Sequence, residues 1–136
     1  MVVLDELNPV LDLGMLDINE VVNSLQNRPD GLEIIITGRA APSSLVRISQ
    51  LHSEMRPRSK GDSSTLTRQS SSGGGIEIYT GEGKGKSTSA LGKALQAIGK
   101  GISQDKSHRV LILQWLKGGN GSVSYTHLTL PTICSV

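Results

Sequence analysis

Residues 76–99 read "IEIYTGEGKGKSTSALGKALQAIG", and this stretch decides the fold. Ile76, Ile78 and Tyr79 make a short apolar run of strand type. After it, Gly81, Gly83 and Gly85 alternate with Glu82 and Lys84. Ala90, Leu91, Ala94, Leu95 and Ile98 then recur at helical spacing, and "GKG" at 99–101 is expected to end that helix. A strand, a glycine loop and a helix in immediate succession form a cradle for phosphate. Glycine tolerates positive φ and has no Cβ, so consecutive backbone N–H groups can turn inward. The helix start near Lys86 adds its unpaired N–H groups and the positive end of its dipole. Lys86 brings a point charge and Lys84 a second one. Ser87, followed by Thr88, places a hydroxyl where Mg²⁺ (or Mn²⁺), a hard cation, takes oxygen ligands. The competing reading is a plain glycine-rich turn, which needs neither the lysines nor the Ser-Thr pair.

The strict Walker spacing has four residues between its first glycine and the Gly-Lys-Ser/Thr. Here Glu82, Gly83 and Lys84 alone separate Gly81 from Gly85, one residue short. A metal–nucleotide site also needs a carboxylate at the end of a neighbouring strand. Asp5-Glu6, after the apolar Val2-Val3-Leu4, has that form, although a helix cap or a turn pair would look the same. Candidate metal ligands are therefore Ser87 with Asp5 or Glu6. In this chain the carboxylates precede the glycine loop, the reverse of the usual order.

Working outward, Asp17 offers a helix cap with Glu20 as its capping-box partner. Ile18, Val21, Val22 and Leu25 give that helix an apolar face, and "NRPDG" at 27–31 stops it. "LEIIITG" at 32–38 is a β-branched strand. Pro42 opens a second helix, over which Leu45, Val46, Ile48 and Leu51 are spaced. "RVLILQWL" at 109–116 is a further buried strand. Strands alternating with helices predict a parallel sheet with crossover connections. The fold class is α/β, a P-loop NTPase-like parallel sheet with flanking helices, incomplete and with its halves in swapped order. Residues 1–58 form one block, 59–75 a flexible Ser/Gly linker, and 76–121 the block with the glycine loop. Residues 122–136 break the pattern and read as an artefactual tail. The two blocks together supply a sheet of four parallel strands.

The 136 residues suit one domain, with 36% hydrophobic and 2% aromatic content and no Phe. The core must rest on Val, Ile, Leu and Ala, and a sheet so lean and incomplete is expected to be marginally stable. Exposed apolar faces then favour self-association, a homodimer in the simplest case. A net charge of +2, with lysines gathered at the glycine loop, excludes a general nucleic-acid binder. Cys134 is the single cysteine, so no intrachain disulfide forms. The three histidines have no metal-ligand spacing. No run approaches a membrane span and the first residues lack a basic leader, so a cytoplasmic protein is expected.

"IYTGEGKGKSTSALGKALQAIG" with "RVLILQWLKGG" resembles the amino-terminal half of the P-loop corrinoid adenosyltransferases, whose own loop is shortened in this way. "VVLDELNPVLDLGMLDINEVVNSLQNRPDGLEIIITGRAAPSSLVRISQLHSEMRP" resembles the carboxy-terminal half of the same family. The resemblance implies ATP as co-substrate and a corrinoid, cobalamin or cobyrinic acid a,c-diamide, as acceptor of the 5′-deoxyadenosyl group. Triphosphate is then released. It also implies that Gly81 to Thr88 bind the phosphates and that Ser87 and one of Asp5 or Glu6 hold Mg²⁺. Arg39, in Thr-Gly-Arg, is placed near the site or in a solvated loop. The segment that joins the halves in the family is absent here. The reversed order fits a junction between tandem copies, a circular permutant that lost its middle or a chimeric gene, the tandem junction being the reading preferred. A P-loop ATPase or kinase and a non-catalytic nucleotide-binding module are the alternative functions.

Overall fold

A computed structural model of the chain describes residues 1–57, 74–103, 109–116 and 128–129. The order is β1 (Val2–Asp5), α1 (Leu7–Asp12), α2 (Ile18–Gln26), β2 (Ile34–Thr37), α3 (Ser43–Ile48), β3 (Leu51–Glu54), β4 (Ile76–Thr80), α4 (Lys86–Ser103), β5 (Leu111–Gln114) and β6 (Leu128–Thr129). One sheet takes all the strands in the order β3-β4-β2-β1-β5-β6. Five are parallel, and β6 runs antiparallel on β5. The α/β class and the P-loop-like parallel sheet expected from the sequence are present.

The central strands are apolar throughout because they are buried on both sides. Val2, Leu4, Ile34, Ile36, Ile76 and Ile78 face α1, α2 and α3, where Leu7, Leu11, Leu25 and Leu45 complete the larger core cluster. Val3, Ile35, Tyr79 and Ile112 face the other way, against Ala90, Ala94, Ala97 and Ile98 of α4. Small alanines at those positions let α4 lie close over β1, β2 and β4. An ion pair from Lys93 to Glu77 at 2.8 Å fixes α4 on β4, and Tyr79 donates its hydroxyl to the same carboxylate.

The two sequence blocks interleave. β4, from the second block, is inserted between β3 and β2 of the first, and β5 lies beside β1. Arg28, in the turn after α2, bonds the carbonyls of Leu25, Leu32 and Gly74, joining that turn to the entry of β4. Gly75 is buried and accepts the Ile34 N–H at 2.9 Å, which ties the entry of β4 to β2. Residues 58–73, nearly all of the linker, lie outside the described residues.

Several sequence expectations need correction. The parallel sheet has five strands rather than four, because Leu51 opens β3 instead of continuing α3. α3 stops at Ile48, Ser49 turns extended (φ −84°, ψ 145°), and the Gln50 N–H reaches Ile76 O to start the β3–β4 ladder. Gly99 and Gly101 do not end α4, which runs to Ser103. A glycine inside a helix costs only about 1 kcal/mol, less than the packing of α4 on the sheet returns. Leu91 and Leu95 are not on the covered side of α4: they are 47% and 58% exposed. α1 follows β1 with no side-chain cap, its N-cap Glu6 being held in the left-handed region at φ 64°. By contrast, Asp17 caps α2 as expected, accepting from the N–H groups of Asn19 and Glu20.

Candidate functional site

Parallel register brings Glu54, Thr80, Thr37, Asp5 and Gln114 to one edge of the sheet, at the carboxyl ends of the five strands. Ligands of open α/β sheets bind at this edge. Alternation then sorts the side chains. Val3 faces α4, so Asp5, two residues on, faces α4 as well. By register, Thr37 on one side and Gln114 on the other share that face. Their side chains meet: Thr37 Oγ1 donates to Asp5 Oδ1 at 2.6 Å, and Gln114 Nε2 donates to Asp5 Oδ2 at 2.6 Å. Asp5 itself is 3% exposed.

The glycine loop runs from the end of β4 to the start of α4, over the same edge. Gly81 has φ 100° and Gly85 φ 106°, conformations that favour glycine. The strand preceding the loop is braced on both sides. From β3, Met55 donates its N–H to Thr80 O at 2.7 Å and accepts the Gly83 N–H at 2.7 Å. From the turn after β2, the Ala41 N–H reaches Thr80 Oγ1 at 3.1 Å. A Cβ at Gly81 or Gly83 would collide with the Met55 backbone. Gly81 is therefore required both by the turn and by the crossing chain, Gly83 by the crossing chain and Gly85 by the turn. An exposed bond from Arg56 to Glu54 flanks this crossing at 2.7 Å and holds the Glu54 carboxyl below its usual range.

Lys86 Nζ donates to Gly81 O at 2.7 Å and to Gly83 O at 2.8 Å, so the ammonium lies across the mouth of the loop. Ser87 and Thr88, on the first turn of α4, line a cleft with Val3, Asp5, Leu91, Ile112 and Gln114. This cleft joins the glycine loop's hydroxyls to the strand-end carboxylate. Ser87 and Asp5 thus come together. Glu6 does not line that cleft; its N–H donates to Thr37 Oγ1 at 3.0 Å. Glu82 and Lys84 are exposed, and Glu82 is paired with Arg39 at 3.7 Å. Arg39 is therefore beside the glycine loop and also solvated.

Ser87 and Asp5 are both oxygen donors, which suits Mg²⁺. No group of three or more His, Cys, Asp or Glu that could hold a metal occurs among the described residues. A cation here must complete its shell from nucleotide oxygens and water, as Mg²⁺ does. Thr37 and Gln114 are the participants that the sequence reading missed. Each is a polar residue closing an apolar run, "IIIT" and "LILQ", and that position was the available signal.

A glycine loop between strand and helix, a lysine and hydroxyl at the helix start, and a buried aspartate on a parallel strand of the same sheet define a P-loop-type α/β protein. More narrowly, the chain belongs to the ATP:corrinoid adenosyltransferase family BtuR/CobO/CobP, whose model matches residues 1–65 and 72–131. The match thus reaches into the stretch read as a tail. A relative in Nostoc sp. (strain PCC 7120), the uncharacterized protein all2391, is 62% identical over 120 residues. That alignment covers 88% of this chain and 30% of the relative, so the chain spans less than a third of its length. No solved structure matches the chain.

Proposed function

We propose that the chain binds Mg·ATP at the glycine loop and that the protein transfers the 5′-deoxyadenosyl group to the Co(I) of a corrinoid. The observation that supports this most directly is the shared cleft of Ser87, Thr88 and Asp5 beside the Lys86 loop, in a chain of the adenosyltransferase family. In such a transfer the cobalt electron pair forms a bond to ribose C5′. The C5′–O bond breaks, and its electrons leave with triphosphate. Little proton transfer is asked of the protein. Its work is to hold ATP in line with the corrinoid and to meet the leaving charge. Lys86 would turn from the loop carbonyls to phosphate oxygens, with Lys84 and the amides at the start of α4 adding to the field. Ser87 and Asp5 would hold Mg²⁺, which supplies neutralisation of the triphosphate charge.

Among the described residues no helix is long and apolar enough to cross a membrane. The reading places the protein in the cytoplasm, a reducing compartment suited to a Co(I) substrate. We also read the chain as a junction between tandem family copies. What supports this is the likeness of residues 1–58 to the family's carboxy-terminal half and of 76–121 to its amino-terminal half, together with a matched relative more than three times the aligned length. A coding sequence that reads through one uninterrupted family domain would remove that idea.

The test is incubation of the full chain with ATP, Mg²⁺ and a chemically reduced cobalamin. Formation of adenosylcobalamin with an equal yield of triphosphate is the expected result. Release of ADP instead would assign the loop to phosphoryl transfer. No product, with ATP still protecting the fold, would leave a nucleotide-binding module.

A further inference from the structure

Among the described residues Asp5 is the only carboxylate that is buried. A buried carboxylate is costly unless donors compensate it, and the donors to Asp5 include two short ones, on different oxygens. The donors differ in kind. Thr37 is fully buried on a central strand and accepts the Glu6 N–H at 3.0 Å, which commits its own proton to Asp5 Oδ1. Its stiff, β-branched side chain fixes how the carboxylate is turned. Gln114 is at the end of β5, only half-buried, and lines the cleft together with Ser87 and Thr88. Its longer side chain has more torsions, and its amide nitrogen lies 2.6 Å from Oδ2.

We propose that Gln114 is a place-holder for the cation: its amide satisfies Asp5 Oδ2 while the cleft is empty and turns aside as the metal binds. Thr37 stays in place and aims the carboxylate. The two residues then act on metal affinity with opposite signs. Removing the Thr37 hydroxyl lets the carboxylate turn and weakens metal binding. Removing the Gln114 amide takes one donor from Asp5 before the cation arrives, so more is gained on binding. Gln114 in this role lowers the affinity for the metal and keeps the empty cleft folded. The inference rests on the reading of the cleft as a Mg·ATP site, and the test below separates the two.

The experiment is calorimetric titration of ATP into the full chain, once in excess Mg²⁺ and once in EDTA. The ratio of the two dissociation constants measures what the metal contributes. A hydrogen bond to a charged group changes such a ratio by about tenfold or more. Gln114→Met is expected to raise the ratio about tenfold and to lower the melting temperature in EDTA. Thr37→Val is expected to lower the ratio by a similar factor, and Thr37→Ser to restore it. If Gln114→Met does not fold without metal, Gln114→Ser, whose hydroxyl is too short to reach Oδ2, carries the same expectation. A ratio unchanged or lowered in the Gln114 variants, with melting depressed, would make Gln114 a structural prop and overturn the proposal. A wild-type ratio of one would overturn the site reading itself.

Discussion

Lys86 closes the glycine loop on itself through the carbonyls of Gly81 and Gly83. Phosphate oxygens compete for the same ammonium, and a charged donor bonded to a charged acceptor is stronger than one bonded to a carbonyl. Lys86→Ala is therefore expected to weaken ATP binding at least tenfold, read by calorimetry, while leaving the melting temperature within a few degrees. Gly81→Ala acts differently. Its φ of 100° and the Met55 backbone in the path of a new Cβ make the change a folding defect. A loss of about 1–3 kcal/mol of stability is expected from the conformation alone, seen as a lower denaturation midpoint. At this scale the sequence singles out positions by residue type alone, as for Gly81, Lys86, Ser87 and Asp5, and the structure brings Ser87 and Asp5 to one cleft. Thr37 and Gln114 were not legible, because their part depends on which strands flank β1. That neighbour order is set by tertiary pairing, and the first block alone gives no hint that β5 returns to β1.

The helices separate local from tertiary causes. α2 has a complete local signature, Asp17 before an apolar periodicity, and its cap bonds form at 2.7 and 3.3 Å. Asp17→Ala should cost about 1 kcal/mol, measurable by urea denaturation. α1 has no such signature. Its left-handed Glu6 is held by the bond from its N–H to Thr37, a contact spanning 31 positions that no local rule anticipates. The boundary between α3 and β3 was misread for a related reason. Leu51 fits a helical spacing with Leu45 and Ile48, yet the open edge of β4 takes it as a strand. Burial then ranks the leucines. Leu45 is 0% exposed and Leu95 58% exposed. Leu45→Ala is expected to cost about 2–5 kcal/mol, and Leu95→Gln to stay within about 0.5 kcal/mol. Equal losses in denaturation would show that α4 buries a different face from the one described.

For the molecule as a whole, interleaving matters most. β4 has first-block strands on both sides, so neither block can complete the sheet alone. Residues 1–57 and 74–136 expressed separately are expected to show no cooperative thermal transition. Mixed, they should regain one, and Mg·ATP at one hundred times its dissociation constant should add about 2.7 kcal/mol. A sharp transition in either block alone would refute the interdependence. The lean composition and the exposed Leu13, Met15, Leu16, Leu91, Leu95 and Leu116 accord with a modest stability margin. The α/β class and parallel pairing were legible from the alternation of apolar runs. The strand order was not, because chain order and spatial order diverge wherever one block threads through the other. The crossing of β3's exit over the glycine loop has a practical corollary for engineers. The heptapeptide from Gly81 to Ser87 is not a portable receptor: transplanted into another scaffold, it would lose the Met55 carbonyl that tethers its middle glycine. A graft should therefore carry both neighbouring strand ends, and one that omits them should bind polyanions no better than a loose glycine-lysine peptide.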